Sequence, residues 1–155
     1  MENIILNDAK IINGHNIIEN SIITNNIITK KYIYYLEENS QLIIKNCKFK
    51  INNINNSNIF YSNKGKLIIE DCIFEINNLK NKKNILFYLN QGSYLEIKNS
   101  KINFNSSFFN DIILNTNLSI IKISNTDIIK NPIITNVLNI IEPKNYLINN
   151  IYSNI

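Results

Sequence analysis

Six residues of this chain recur at a near-constant interval: Asn20, Asn46, Asp71, Asn99, Asn125 and Asn150, with steps of 26, 25, 28, 26 and 25 residues. One short pattern surrounds each: Ile, any residue, Asn or Asp, a residue that is usually small, any residue, then Ile or Phe. Ile44-Lys45-Asn46-Cys47-Lys48-Phe49 and Ile69-Glu70-Asp71-Cys72-Ile73-Phe74 are two copies. A unit of about 26 residues is too short to enclose a core of its own, so each copy must bury its apolar side chains against the next.

Stacking turns the repeat into columns. The position before the bend residue reads Glu19, Lys45, Glu70, Lys98, Ser124 and Asn149, so charge alternates over four levels. Opposite charges across neighbouring strands favour pairing by roughly 0.2–1 kcal/mol, and like charges oppose it. Lys50 with Glu75, and Glu96 with Lys122, repeat the pattern. Two columns are apolar: Ile18, Ile44, Ile69, Ile97, Ile123, Ile148, and Ile23, Phe49, Phe74, Ile102, Ile128, with Ser153 departing at the last level. Mostly polar residues lie between them, the period of two of a strand. The Asn interrupts that period as a bend would, since Asn tolerates left-handed backbone and its amide can bond the amide of the next level.

Each coil then reads as three short strands, at 33–36, 42–44 and 47–51 in the second coil, with a turn at 37–41 and the bend at Asn46. Polar loops at 52–58, 77–84, 105–111 and 131–136 close successive coils. The expectation is one all-β domain over residues 1–155, a parallel solenoid of about six coils with an Asn ladder along one edge.

Ile and Asn make up almost half the chain, while Arg and Trp are absent. That bias reflects an AT-rich coding sequence more than a function. The phased columns argue against the disorder that Asn-rich tracts often show. The net charge of +4 comes from Lys alone, spread over many levels apart from Lys80, Lys82 and Lys83, which read as a solvated loop and not as a phosphate-binding patch. No nucleic-acid partner is expected. The start, Met1-Glu2-Asn3-Ile4, lacks the cationic stretch of a secretory signal, and no apolar run is long enough for a membrane helix. A cytoplasmic or virion component is therefore expected unless the chain is truncated.

Few residues offer chemistry. Cys47 and Cys72 share a column on adjacent levels and read as stacked buried thiols, a disulfide being the alternative; Ser21, Ser100 and Thr126 fill the same column without one. His15, the one histidine, lies in a turn with no acid or nucleophile beside it. The four aspartates, Asp8, Asp71, Asp111 and Asp127, form no pair on the first-strand face. Glu37, Glu38 and Asn39 read as a solvated acidic turn rather than a calcium site. The sequons at Asn105 and Asn117 are expected by chance. No catalytic residue, metal or cofactor is expected.

The first strand of each coil is apolar at consecutive positions, as in Ile33-Tyr34-Tyr35-Leu36 and Ile85-Leu86-Phe87-Tyr88-Leu89. The expected phase puts Tyr34, Phe60, Leu86, Tyr88, Ile113 and Leu138 on the outer face, a contiguous apolar stripe of the kind that marks an interaction surface. The other phase, or a loop folded over the stripe, would hide them.

On the three-strand coil, the bend ladder at Asn20, Asn46, Asp71, Asn99, Asn125 and Asn150, and the stacked interior Ile, Phe and Cys, the chain resembles the right-handed parallel β-helix superfamily of pectate lyases, phage tailspikes and bacterial surface adhesins. Right-handedness is also the default of parallel crossover connections. Enzymes of that superfamily cleave acidic polysaccharides, the lyases with calcium-binding acids and a basic residue, often Arg, and the hydrolases with clustered Asp on the first-strand face. This chain has no Arg and an apolar matching face, so the resemblance implies a non-catalytic adhesin or fibre-type member. No amphipathic helix is available to cover either open sheet edge. The expected role is self-association as a homo-oligomer, or docking to a partner, in a viral, phage or cell-surface assembly. The competing expectation is a carbohydrate-binding or polysaccharide-degrading protein with Tyr34, Phe60 and Tyr88 as stacking platforms.

Overall fold

The computed structural model describes the backbone of residues 1–25, 31–52, 58–77, 84–104, 109–115, 119–129, 136–140 and 145–154. Side chains are described over the same residues except 84, 109–112, 114–115 and those beyond 129. The described chain contains strands and no helix. In order they are β1 (Glu2–Leu6), β2 (Lys10–Ile12), β3 (His15–Glu19), β4 (Ser21–Asn25), β5 (Tyr32–Leu36), β6 (Gln41–Lys45), β7 (Lys48–Asn52), β8 (Asn58–Asn63) and β9 (Lys66–Glu70). Then follow β10 (Ile73–Asn77), β11 (Asn84–Asn90), β12 (Tyr94–Lys98), β13 (Lys101–Phe104), β14 (Phe109–Asn115), β15 (Ile120–Ile129), β16 (Asn136–Ile140) and β17 (Asn145–Asn154).

Every pairing is parallel and joins equivalent strands of successive coils, so the chain is a parallel β-solenoid. The first face is a six-stranded sheet in the order β16-β14-β11-β8-β5-β2. The second face (β3, β6, β9, β12) and the third (β1, β4, β7, β10, β13) form one sheet, because β15 runs unbroken across the bend between them and β17 pairs beside it. The register reproduces the expected columns: Ile18, Ile44, Ile69, Ile97, Ile123 and Ile148 stand opposite one another in turn. The interiors of the four closing loops lie outside the described residues. One of them is shorter than expected, since β14 begins at Phe109 and pairs with β11 within the stretch 105–111.

The bend works as the sequence implies. Asn20, Asn46, Asp71, Asn99 and Asn125 have φ of 52°, 48°, 53°, 50° and 47°, the left-handed region in which Asn and Asp are the least penalised side chains. Each backbone N–H from Asn20 to Asn99 donates to the carbonyl before the next bend, as from Asn46 to Glu70 at 3.0 Å and from Asp71 to Lys98 at 3.2 Å. Side-chain amides add a second ladder: Asn46 Nδ2 donates to Asn20 Oδ1 at 2.7 Å, and Asn125 Nδ2 to Asn99 Oδ1 at 3.3 Å. Asp71 has no amide to donate, and among the described residues no side-chain bond joins it to Asn46 or Asn99. Asn150 lies in β17 between Asn149 and Ile151, which face Ser124 and Thr126; its side chain is outside the described residues.

The small residue after each bend also has a physical role. Ser21 Oγ, Ser100 Oγ and Thr126 Oγ1 donate to the carbonyl two residues back, at 2.8, 2.9 and 2.9 Å. Cys47 and Cys72 make the same bond with Sγ, both at 3.1 Å. A second left-handed corner, between the first and second faces, is occupied by Gly14, Asn39, Lys64 and the pair Gln91-Gly92, all at positive φ. From the sequence alone, 37–41 reads as a plain turn.

Rings stack in the core. Phe49 lies on Phe74 at 4.5 Å, while Phe60 is sandwiched between Tyr34 at 5.3 Å and Phe87 at 5.4 Å and meets Phe49 and Phe74 edge-on. Outside, the charge ladder differs in detail from the columns. Glu70 bridges Lys45 (3.4 Å) and Lys98 (2.9 Å). Glu75 pairs diagonally with Lys48 and not with Lys50, which it faces in register.

Candidate interaction face

The first sheet carries the expected interaction stripe, and the structure corrects its phase. Tyr34 is 2% exposed and Phe60, Leu86 and Ile113 are fully buried; only Tyr88 of the expected set stands half-exposed on the outer side. Leu138 faces Ile113 in register, and its side chain lies outside the described residues. The error has a physical cause. Ile33 and Tyr34, Ile59 and Phe60, and Leu86 and Phe87 are all buried as consecutive pairs, so no polar alternation marks which side faces water.

The outward column lies one residue further along. Register aligns Ile11, Tyr35, Tyr61, Tyr88 and Leu114. Ile11 is 61% exposed, and the three tyrosines are half-buried. Tyr35 and Tyr61 lie with centroids 5.3 Å apart, Tyr61 and Tyr88 4.8 Å apart and nearly parallel. Tyr32, at the start of β5, stacks on Tyr35 at 4.9 Å, and Lys31 Nζ sits 5.7 Å from the Tyr61 centroid. Partial burial, then the neighbouring Tyr88 hydroxyl, push the Tyr61 phenol above its ordinary pKa. Tyr61 and Tyr88 thus cover one another, whereas Tyr35 meets Tyr61 at an angle of 39°.

The second face offers a different surface. Ile17, Ile43 and Ile68 share its outer column with Glu96 and Lys122. Tyr94 is held between Lys66 Nζ and Lys122 Nζ, at 4.9 and 5.4 Å from its centroid, and donates to Glu96 Oε2 at 2.6 Å. Burial and that carboxylate raise the Tyr94 pKa to about 12.

The remaining candidates occupy ordinary structural positions. His15 Nδ1 lies 2.8 Å from Gln41 Oε1 on the surface. Glu38 pairs with Lys64 at 3.0 Å. Cys47 and Cys72 are free and buried. Among the described residues, no three His, Cys, Asp or Glu side chains are grouped to hold a metal ion, and no helix is long and apolar enough to cross a membrane. An open groove of about 460 Å³ follows the bend past Asp71, Asn99, Asn125 and Asp127; its two carboxylates are two coils apart, with Lys101 facing Asp127 in register. Comparison with known proteins finds no matching family model, no matching curated protein and no matching solved structure.

Proposed function

We propose that this chain is a non-catalytic β-helix scaffold, of the adhesin or fibre type within the pectate lyase-like superfamily, that self-associates or docks to a protein partner through the outer face of its first sheet. The observation that carries this reading is the contiguous column Tyr35-Tyr61-Tyr88, its first two rings tilted and its last two stacked, continued by the exposed Ile11. Tyrosine supplies large contact area at low conformational cost, which is why it is enriched at protein interfaces. Sugar recognition by stacking uses an open ring face, and Tyr61 and Tyr88 each turn one face to the other. An assembly of viral, phage or cell-surface type fits a rigid column of this kind.

The test is sedimentation velocity over a range of concentrations for the parent chain, Tyr61→Ala and Tyr88→Ala. The parent is expected to gain mass with concentration, or to be captured by a partner, and both variants to lose this with little change in melting temperature. A parent that stays monomeric and partnerless at high concentration refutes the proposal. Glycan-array binding that both substitutions abolish would transfer the face to the carbohydrate-binding alternative.

A further inference from the structure

We infer that Cys47 and Cys72 form a redox-sensitive staple, a dithiol that a small disulfide oxidant such as oxidised glutathione converts to an inter-coil disulfide. The register puts them together: Lys48 faces Ile73, so the residues before them, Cys47 and Cys72, are neighbours in one inward column. Their strands are further tied by the bond from the Ile73 N–H to the Cys47 carbonyl at 2.9 Å. Parallel neighbours lie about 4.8 Å apart, inside the Cα range a disulfide spans. A relaxed disulfide wants Cβ atoms about 3.8 Å apart, so the two side chains must lean together by roughly 1 Å. Strain of that kind makes a disulfide easier to reduce and suits a reversible link better than a permanent one.

Both thiols are shielded from water, but Cys72 lines the open groove along the bend, giving an oxidant an approach. The two thiols perturb each other, lowering the pKa of Cys47 and, with burial, raising that of Cys72, so one of the pair ionises more readily than a lone buried thiol. The thiolate displaces one glutathione thiolate from the oxidant at the groove to give a mixed disulfide. The second cysteine, losing its proton to solvent, attacks the protein sulfur of that mixed disulfide and releases the second glutathione. Two protein thiols lose two electrons and two protons, and one glutathione disulfide becomes two thiols. The new bond closes a loop that runs once around the solenoid, so unwinding from either end would stop there.

The chain of residues 1–155 is equilibrated in glutathione buffers of graded oxidised-to-reduced ratio, acid-quenched, alkylated and weighed. The expected product is lighter than the dithiol by two hydrogens, resists alkylation, reverts when the ratio is reversed, and melts higher by on the order of 10 °C. Cys47→Ser and Cys72→Ser install a residue that the column already uses at Ser21 and Ser100, so they should fold and lose both effects. Two alkylated thiols at every ratio, a glutathione adduct that never resolves, or a disulfide between chains would overturn the inference.

Discussion

Asp71 is the one described bend residue that cannot continue the amide ladder, and replacing it tests what the ladder contributes. Asp71→Asn keeps the size of the side chain and its tolerance of φ near 53°, and supplies a donor where Asn46 Oδ1 waits as acceptor. The carboxylate oxygens could already receive the Asn99 amide, so the donor is what the substitution adds. The existing rungs of the ladder measure 2.7 and 3.3 Å, so one new bond of ordinary length becomes possible. A neutral hydrogen bond contributes about 0.5–1.5 kcal/mol net, and solvent exposure of this edge puts it at the low end. The expected gain is about 0.5 kcal/mol, or about 1–2 °C in melting temperature for a domain of this size. Urea titration followed by circular dichroism should show a higher midpoint at unchanged slope. A midpoint that is unchanged or lower would mean that the side-chain ladder adds nothing beyond the backbone bonds beneath it.

Phe60→Ala removes a ring that touches four others and should cost about 3–5 kcal/mol in the same titration; a loss under about 1 kcal/mol would contradict the packing described. Gly65→Ala places a Cβ 2.8 Å from Leu36 Cβ and 3.1 Å from the Glu37 carbonyl. That overpacking is expected to cost about 1–3 kcal/mol, whereas Gly92→Ala meets open space and is strained only by its φ of 76°, at roughly 1–2 kcal/mol. Lys98, with help from Lys45, holds the Glu70 carboxyl below its ordinary pKa. A depressed carboxylate stabilises the fold fully above its unfolded value, about pH 4.3, and loses that contribution as pH falls through the folded value. Melting temperature measured from pH 6 downwards should therefore fall less steeply below about pH 5 in Glu70→Gln than in the parent; parallel curves would rule the pair out as a source of acid sensitivity.

The parts of the fold that were legible are those where one physical demand repeats at every level. Left-handed backbone at the bend selects Asn or Asp, and the inward positions beside it select Ile or Phe, so Asn46 and its equivalents set the register of two faces. The second left-handed corner escaped notice because Gly14, Asn39, Lys64 and Gln91-Gly92 satisfy the same φ with different side chains. On the first face the signal was absent for another reason. Two consecutive buried residues per strand erase the period of two, and either phase of Ile33-Tyr34-Tyr35-Leu36 satisfied the sequence. Burial of Tyr34 on one side and the contact of Tyr35 with Tyr61 on the other resolve it. The adjacency of Cys47 and Cys72 follows from their shared column.

The bend between the second and third faces has a constant length. Leu42 to Phe49, Leu67 to Phe74, Leu95 to Ile102 and Ile121 to Ile128 are each seven residues apart, and all of these pairs align in register. The steps from Tyr34 to Leu42 and from Phe60 to Leu67 differ by one, and those from Phe49 to Phe60 and from Phe74 to Phe87 by two. Length variation is thus absorbed at two corners and refused at the third. Foreign peptides grafted into this scaffold should be accepted at the first two and rejected at the Asn hinge, where a single added residue would turn every later side chain on that strand inside out.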